Sequence, residues 1–294
     1  MAYKSWSSPI STDSSLSYRA WGSEIRDNFL AIGLVQTTDT GQVDWSTAEK
    51  PSVNNTLVGY EIWRFNDSLQ ATAPIFFKIE YYRSHSTTTI KIQIKVGTGS
   101  DGSGNITGYS SSLVQTSVTV TPGSLSYTSY FCHTEGFLGI VFKAQAASGG
   151  PVAAFIITRT CNTTTGIPNG NGVIVITNGS NDSVMFNIQT INLLNGNVST
   201  NTVADTCIVP QGITNSRLLS SDNTAKIFYH QVYLPNLQKI FSIGTVVKSE
   251  FLENTTFKTV LVGSTLRTFI SVGGAFNKPS TNSGNNYSLA MLWE

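Results

Sequence analysis

Charge is what this sequence has least of. Asp, Glu, Lys and Arg make up 12 % of its 294 residues, about half of the roughly 25 % usual in globular domains. Eighteen basic and seventeen acidic residues leave a net charge of +1, with no block of one sign. Binding to nucleic acid through its phosphates needs a clustered basic surface, and so does an anionic membrane surface. Neither is an expected partner. Between Arg159 and Asp205 the single charged residue is Asp182, so hydroxyls and amides must coat the surface there.

Long apolar runs are also missing. No stretch reaches the ~18 apolar residues of a spanning helix, so membrane insertion is not expected. The opening Met1-Ala-Tyr-Lys-Ser-Trp-Ser-Ser-Pro9 has no apolar signal-type region, which points to synthesis in, and assembly from, the cytosol. Asn-x-Ser/Thr triplets recur, but an Asn- and Thr-rich chain produces them by chance. The three cysteines, Cys132, Cys161 and Cys207, contain no C-x-x-C and read as buried thiols.

Recognisable chemistry is scarce too. His85, His133 and His230 are the three histidines, and no pair has the i,i+4 spacing of a helical zinc site. In a strand, Cys132 and His133 would point to opposite faces. No metal and no cofactor is expected. Gly97-Thr-Gly-Ser-Asp-Gly102 has the letters of a phosphate loop, but no helix follows to supply the N–H groups that hold a pyrophosphate; a hairpin loop is the better reading. There is no G-x-S-x-G elbow. Glycan hydrolysis needs two carboxylates about 5–9 Å apart. Glu61, Asp67, Asp101, Asp222, Glu250 and Glu253 are candidates, though any chain with 17 acids offers as many. No catalytic residue is assigned, and the chain does not read as an enzyme.

What the chain does have is 40 % hydrophobic residues at a mean hydropathy near zero, the balance of a globular protein with one large core or two ordinary ones. Trp21, Ile25, Phe29 and Ile32 form one apolar helical face, with Ser14 or Ser15 placed to cap its start and Gly33 to end it. From Gly59 the period changes to two. Ile75, Phe77, Ile79 and Tyr81, then Ile90, Ile92, Ile94 and Val96, predict an antiparallel hairpin joined across residues 83–88. Val118–Val120, Phe137–Phe142 and Val152–Thr158 continue as strands. Cys161 to Gly172 reads as a linker, and short strands follow around 173–176, 184–191, 225–233, 259–262, 268–272 and 287–293. The expected fold is mainly β: antiparallel, jelly-roll-like β-sandwich lobes preceded by an arm and one short helix. The expected division is 1–45 arm and helix, 46–165 first lobe, 166–294 second lobe.

Two segments carry a resemblance: Gly33-Leu-Val-Gln-Thr-Thr-Asp-Thr-Gly-Gln-Val-Asp-Trp45, and the 24 residues from Gly59-Tyr-Glu-Ile-Trp-Arg-Phe-Asn-Asp to Tyr82. They resemble a family of virion structural proteins of tailed bacteriophages, over roughly residues 20–95, and the terminal Leu289-Ala-Met-Leu-Trp-Glu294 is similar too. The resemblance implies a tail, baseplate, fibre-associated or capsid-surface component, a homo-oligomer (ring or trimer) that meets other virion proteins. It implies residence in the virion after assembly in the host bacterial cytoplasm. The alternative is a fibre or spike module that binds a host receptor or surface glycan and degrades polysaccharide. Four of five tryptophans lie in the first 63 residues, and their grouping favours packing or docking. Trp6, Trp21, Ile25, Phe29 and Trp45 are the candidate docking residues.

Overall fold

The computed structural model describes residues 2–9, 14–83, 90–108, 114–120, 126–144, 152–162, 167–178, 186–202, 227–229, 243–247, 257–262, 265–271 and 287–292. Strand β1 (Ala2–Pro9) precedes helix α1 (Ser15–Ala31). Then come β2 (Val35–Gln36), β3 (Leu57–Arg64), β4 (Phe76–Arg83), β5 (Ile90–Gly97), the small hairpin of β6 (Gly99–Ser100) and β7 (Ile106–Thr107), and β8 (Val114–Val120). A second run holds β9 (Ser126–Thr134), β10 (Phe137–Ala144), β11 (Val152–Cys161), β12 (Pro168–Asn178), β13 (Phe186–Asn192) and β14 (Val198–Thr202). Last come β15 (Ile227–Tyr229), β16 (Ile243–Val247), β17 (Phe257–Val262), β18 (Thr265–Ser271) and β19 (Tyr287–Leu292).

The fold is mainly β and antiparallel, as expected. One sheet has the order β2-β3-β4-β5-β8 and a second the order β1-β9-β10-β11-β12-β13-β14; β15-β16-β19-β18-β17 form a third. Within the first two sheets, β2 to β5 and β9 to β14 are each neighbours in chain order, a meander connectivity rather than that of a jelly roll; β1 beside β9 and β8 beside β5 join from farther along the chain. The predicted β4–β5 hairpin is present, with Ile79 opposite Ile94 and Tyr81 opposite Ile92; its connector, residues 84–89, lies outside the described residues.

Two expected boundaries are corrected. Residues 1–45 are not a separate arm, because β1 forms the edge of the second sheet beside β9 and α1 enters the core. The 161–172 linker is the junction of β11 and β12, neighbouring strands of one sheet, so no lobe begins at residue 166. Its Asn/Gly/Thr composition breaks the apolar alternation where the ladder register shifts between Arg159 and Cys161. There polar side chains tie the two strand ends: Thr160 Oγ1 donates to Asn169 Oδ1 at 2.5 Å, and the Asn171 N–H donates to the same oxygen at 3.0 Å.

Helix α1 forms where its caps allow. Ser14 Oγ accepts from the Ser17 N–H at 3.2 Å, satisfying one of the N-terminal donors that a helix leaves open. At the other end Gly33 adopts φ +89. Its N–H reaches Leu30 O and the Leu34 N–H reaches Phe29 O, both at 3.0 Å, the paired bonds of a left-handed glycine stop.

One core lies between the inner faces of the first two sheets, with α1 wedged into it. Trp63, Phe65, Phe77, Ile79, Tyr81, Ile92 and Ile94 come from one sheet; Phe131, Leu138, Ile140, Phe142, Phe155, Ile157, Val173 and Val175 come from the other. The helix reaches both. Phe29 packs edge-on against Trp63, Phe77 and Phe131 at ring separations of 5.1, 5.7 and 5.7 Å. The second sheet is also covered on its outer face, where Cys132, Val141, Ile156 and Ile174 are fully buried. That explains why 137–142 reads as an unbroken apolar run instead of an alternation.

Gly22 is a fitted position. A Cβ there would overlap the Trp45 indole. On an exposed helix Gly→Ala would gain about 1 kcal/mol of propensity. Here overpacking of about 1–3 kcal/mol should win. Gly22→Ala is therefore expected to lower the urea midpoint and red-shift the tryptophan emission.

Candidate functional site

The inward parity of β3 places Glu61 on the same face as Trp63 and Phe65, and Glu61 is 0 % exposed. Its carboxylate is held from two sides. Trp45 Nε1 donates to Oε1 at 3.0 Å and Tyr81 Oη donates to Oε2 at 2.8 Å. The Trp45 and Tyr81 rings meet edge-on at 4.8 Å, and Trp21 closes on Tyr81 at 5.4 Å. Burial pushes the Glu61 carboxyl up to about 7, against the opposing pull of Tyr81, Trp45, Trp63 and the Arg26 charge. The same burial, reinforced by Glu61, drives the Tyr81 phenol well above its ordinary value. Trp63 helps only through proximity, because its Nε1 makes no hydrogen bond of full geometry.

A second buried carboxylate is ionically paired. Asp67 follows β3 in the turn leading to β4. Arg159 of β11 grips it with Nε to Oδ2 at 2.6 Å and Nη2 to Oδ1 at 2.9 Å, while Nη1 reaches Ala73 O at 2.6 Å. Both side chains are essentially inaccessible, at 0 % and 1 % exposure. This clamp joins the first sheet's turn to the second sheet. On the outer face of the first sheet, Glu80 receives Lys78 at 2.8 Å and Lys95 at 3.0 Å, and Lys78 sits 4.0 Å from the centre of the Tyr60 ring. Burial would raise Glu80, but its two lysine partners outweigh it and hold the carboxyl low.

The glycine-rich loop is a hairpin, as read from the sequence, and it is buttressed. Asp39 accepts from Ser100 Oγ at 2.8 Å and from the Gly104 N–H at 3.3 Å. Tyr60 Oη donates to Thr40 O at 2.7 Å, and a Cβ on Gly104, at φ +94, would strike that phenol. Asp101 sits exposed at the hairpin tip, accepting from the Ser103 and Asn105 N–H groups. His133 is enclosed against Phe65, with ring centres 5.3 Å apart, and its Nδ1 lies 3.1 Å from Ile32 O at the end of α1. Burial keeps it below the usual imidazole range, opposed by that hydrogen bond. Cys132 points to the opposite face, as strand parity requires, and burial pushes its thiol up to about 12. Cys161 is buried as well.

Four of the five candidate docking residues lie inside the protein's own core. Trp21, Ile25, Phe29 and Trp45 are at most 2 % exposed: the first three form the helix face enclosed by the two sheets, and Trp45 is seated over Gly22 of the same helix. In this fold they are packing residues. Trp6 stands in β1 opposite Ser129. Of the glycan-hydrolysis candidates, Glu61 and Asp67 are core groups and Asp101 caps a turn; Asp222, Glu250 and Glu253 lie outside the described residues, as do Cys207, His85 and His230.

Sequence reasoning missed the Arg159–Asp67 clamp and the enclosure of Glu61. The signal was parity: Arg159 shares an apolar strand face with Phe155 and Ile157, a position tolerable only with a carboxylate partner. A scan against protein-family models returns no match to this chain, and a search of curated proteins returns none. The fold alone defines the class, an antiparallel, mainly β protein with one helix wedged between two of its sheets.

Arg159→Ala strands the Asp67 charge in the core and is expected to cost about 3–5 kcal/mol in denaturant unfolding. Arg159→Met combined with Asp67→Leu should recover most of that loss. A double mutant as unstable as the single one would show that the loss does not come from the stranded Asp67 charge.

Proposed function

We propose that this chain is a non-enzymatic structural component of a tailed-bacteriophage virion, assembling as a symmetric homo-oligomer and docking to neighbouring tail, baseplate or capsid proteins. The observation that carries the reading is where the carboxylates go. Each acid–base candidate among the described residues already holds the fold: Glu61 by Trp45 and Tyr81, Asp67 by Arg159, Asp101 by its own turn. Chemistry on a substrate needs such groups facing it with shifted affinities for protons. The group with the strongest upward carboxylate shift, Glu61, faces the core instead. The low-charge, amide- and hydroxyl-rich composition and the resemblance of residues 33–45 and 59–82 to virion proteins support the same reading. No helix among the described residues is long and apolar enough to cross a membrane.

The deciding experiment has two arms. The purified protein is sized by light scattering, and its position in intact particles is mapped with specific antibodies under the electron microscope. A discrete oligomer and a fixed, symmetric location are expected. Release of reducing ends from host surface polysaccharide, or saturable binding to it, would favour the receptor-engaging alternative. A protein never found in particles would sink the virion reading.

A further inference from the structure

Four carboxylates are buried among the described residues, and three of them have cationic or closely spaced hydrogen-bonding partners. Asp67 meets Arg159, Glu80 meets two lysines, and Asp39 receives a hydroxyl and a backbone N–H near the surface. Glu61 is the most enclosed in a different sense: its contacts are two neutral aromatic donors, and no described basic group comes within ion-pair distance. Arg26, the cation facing it from α1, is paired with Asp27 at 3.0 Å. A buried anion with neutral partners alone is costly, and uptake of a proton is the usual remedy.

What Glu61 holds is a strap, residues 37–51, laid across α1 and the edge of the first sheet. It is tied by hydrogen bonds along its length, at Asp39 to Ser100 and Gly104 as well as to β3 and α1. Thr37 N–H reaches Ile62 O at 2.9 Å and Val43 N–H reaches Tyr60 O at 2.9 Å. Farther along, Arg19 Nε reaches Ala48 O at 2.8 Å and the Lys50 N–H reaches Ser15 Oγ at 2.9 Å. Trp45 is the strap's deepest residue, seated over Gly22 and fastened to the Glu61 carboxyl. If the carboxylate is to reach water, the covering element that can yield is the Trp45 segment of this strap, since β3 is laddered at Glu61 to Ile79 of β4 and that in turn to Ile94 of β5.

We propose that Glu61 is a proton-operated latch: protonated, it keeps the Trp45 strap seated on helix α1, and losing its proton lets the strap lift and the carboxylate meet solvent. The sign follows from linkage. The closed state binds the proton more tightly than an open state in which Glu61 regains its ordinary affinity. Opening therefore becomes easier as pH rises from about 4.5 through about 7 and levels off above. The other groups facing Glu61 do not change charge in this window. Tyr81 of β4 stays a phenol, and Asp44 beside Trp45 is held low by the Ser46 hydroxyl and N–H; Arg26 on α1 is paired with Asp27.

Hydrogen exchange of the intact protein tests this, reading the Val43 and Ala48 amides after correction for intrinsic rates. Between pH 5 and pH 8 their protection is expected to fall on the order of 10²-fold, while the amides of the β11–β12 ladder hold steady. The ¹⁵N-labelled indole resonance of Trp45 should titrate with the same midpoint. Glu61→Gln should abolish both effects. Should that variant fold poorly, Tyr81→Phe provides an independent check: it removes a donor that favours the anion, so the midpoint should rise. A flat wild-type profile, an unchanged fall in Glu61→Gln, or a midpoint that stays put or drops in Tyr81→Phe would overturn the latch.

Discussion

One helical face must satisfy two sheets at once. The rings of Phe29 and Trp21 each touch both: Phe29 meets Trp63 and Phe77 on one side and Phe131 on the other, while Trp21 meets Tyr81 and Phe142. Edge-on aromatic pairs add about 0.5–1.5 kcal/mol each beyond the area they bury, and they do so only at defined separations. The helix thus acts as a spacer as well as a filler. The glycine at position 22, the left-handed stop at Gly33 and the seat of Trp45 all serve that geometry.

Inside so apolar a region, polar groups act as keys. The Arg159–Asp67 clamp contributes little net energy by general experience of buried ion pairs. Its geometry, however, allows one placement of the β3–β4 turn against β11. His133 does the same work between β9 and the end of α1 with a single hydrogen bond. Dispersion and burial hold the sheets together; these few directional contacts decide where they are held. A scaffold built this way is fixed at its centre by direction as well as by burial.

Much of the fold was legible because it is local. The helix announced itself through Trp21, Ile25 and Phe29, its Ser14 cap and Gly33; the β4–β5 hairpin did so through alternating Ile and Lys. Other features depend on partners far along the chain. Nothing near Trp21 says that two sheets will enclose it, so an apolar helical face read as a docking surface. The Asn- and Gly-rich stretch after Arg159 looked like a linker because strand turns and linkers use the same residues for the same φ/ψ freedom. Glu61 read as one acid–base candidate among several, and its enclosure escaped notice because Ile62 and Trp63 are both apolar, which blurs the alternation that turns its carboxyl inward.

The pairing of β1 with β9 has a consequence in time. Ala2 lies opposite His133 and Pro9 opposite Ser126, a separation of more than a hundred residues. During synthesis β1 emerges before β9 and has no ladder to join until β9 follows, an interval on the order of ten seconds at ordinary elongation rates. The second sheet cannot gain its edge strand by local zippering. A segment made early is thus among the last to find its place, and the growing chain carries an unpaired strand while the first sheet assembles behind it.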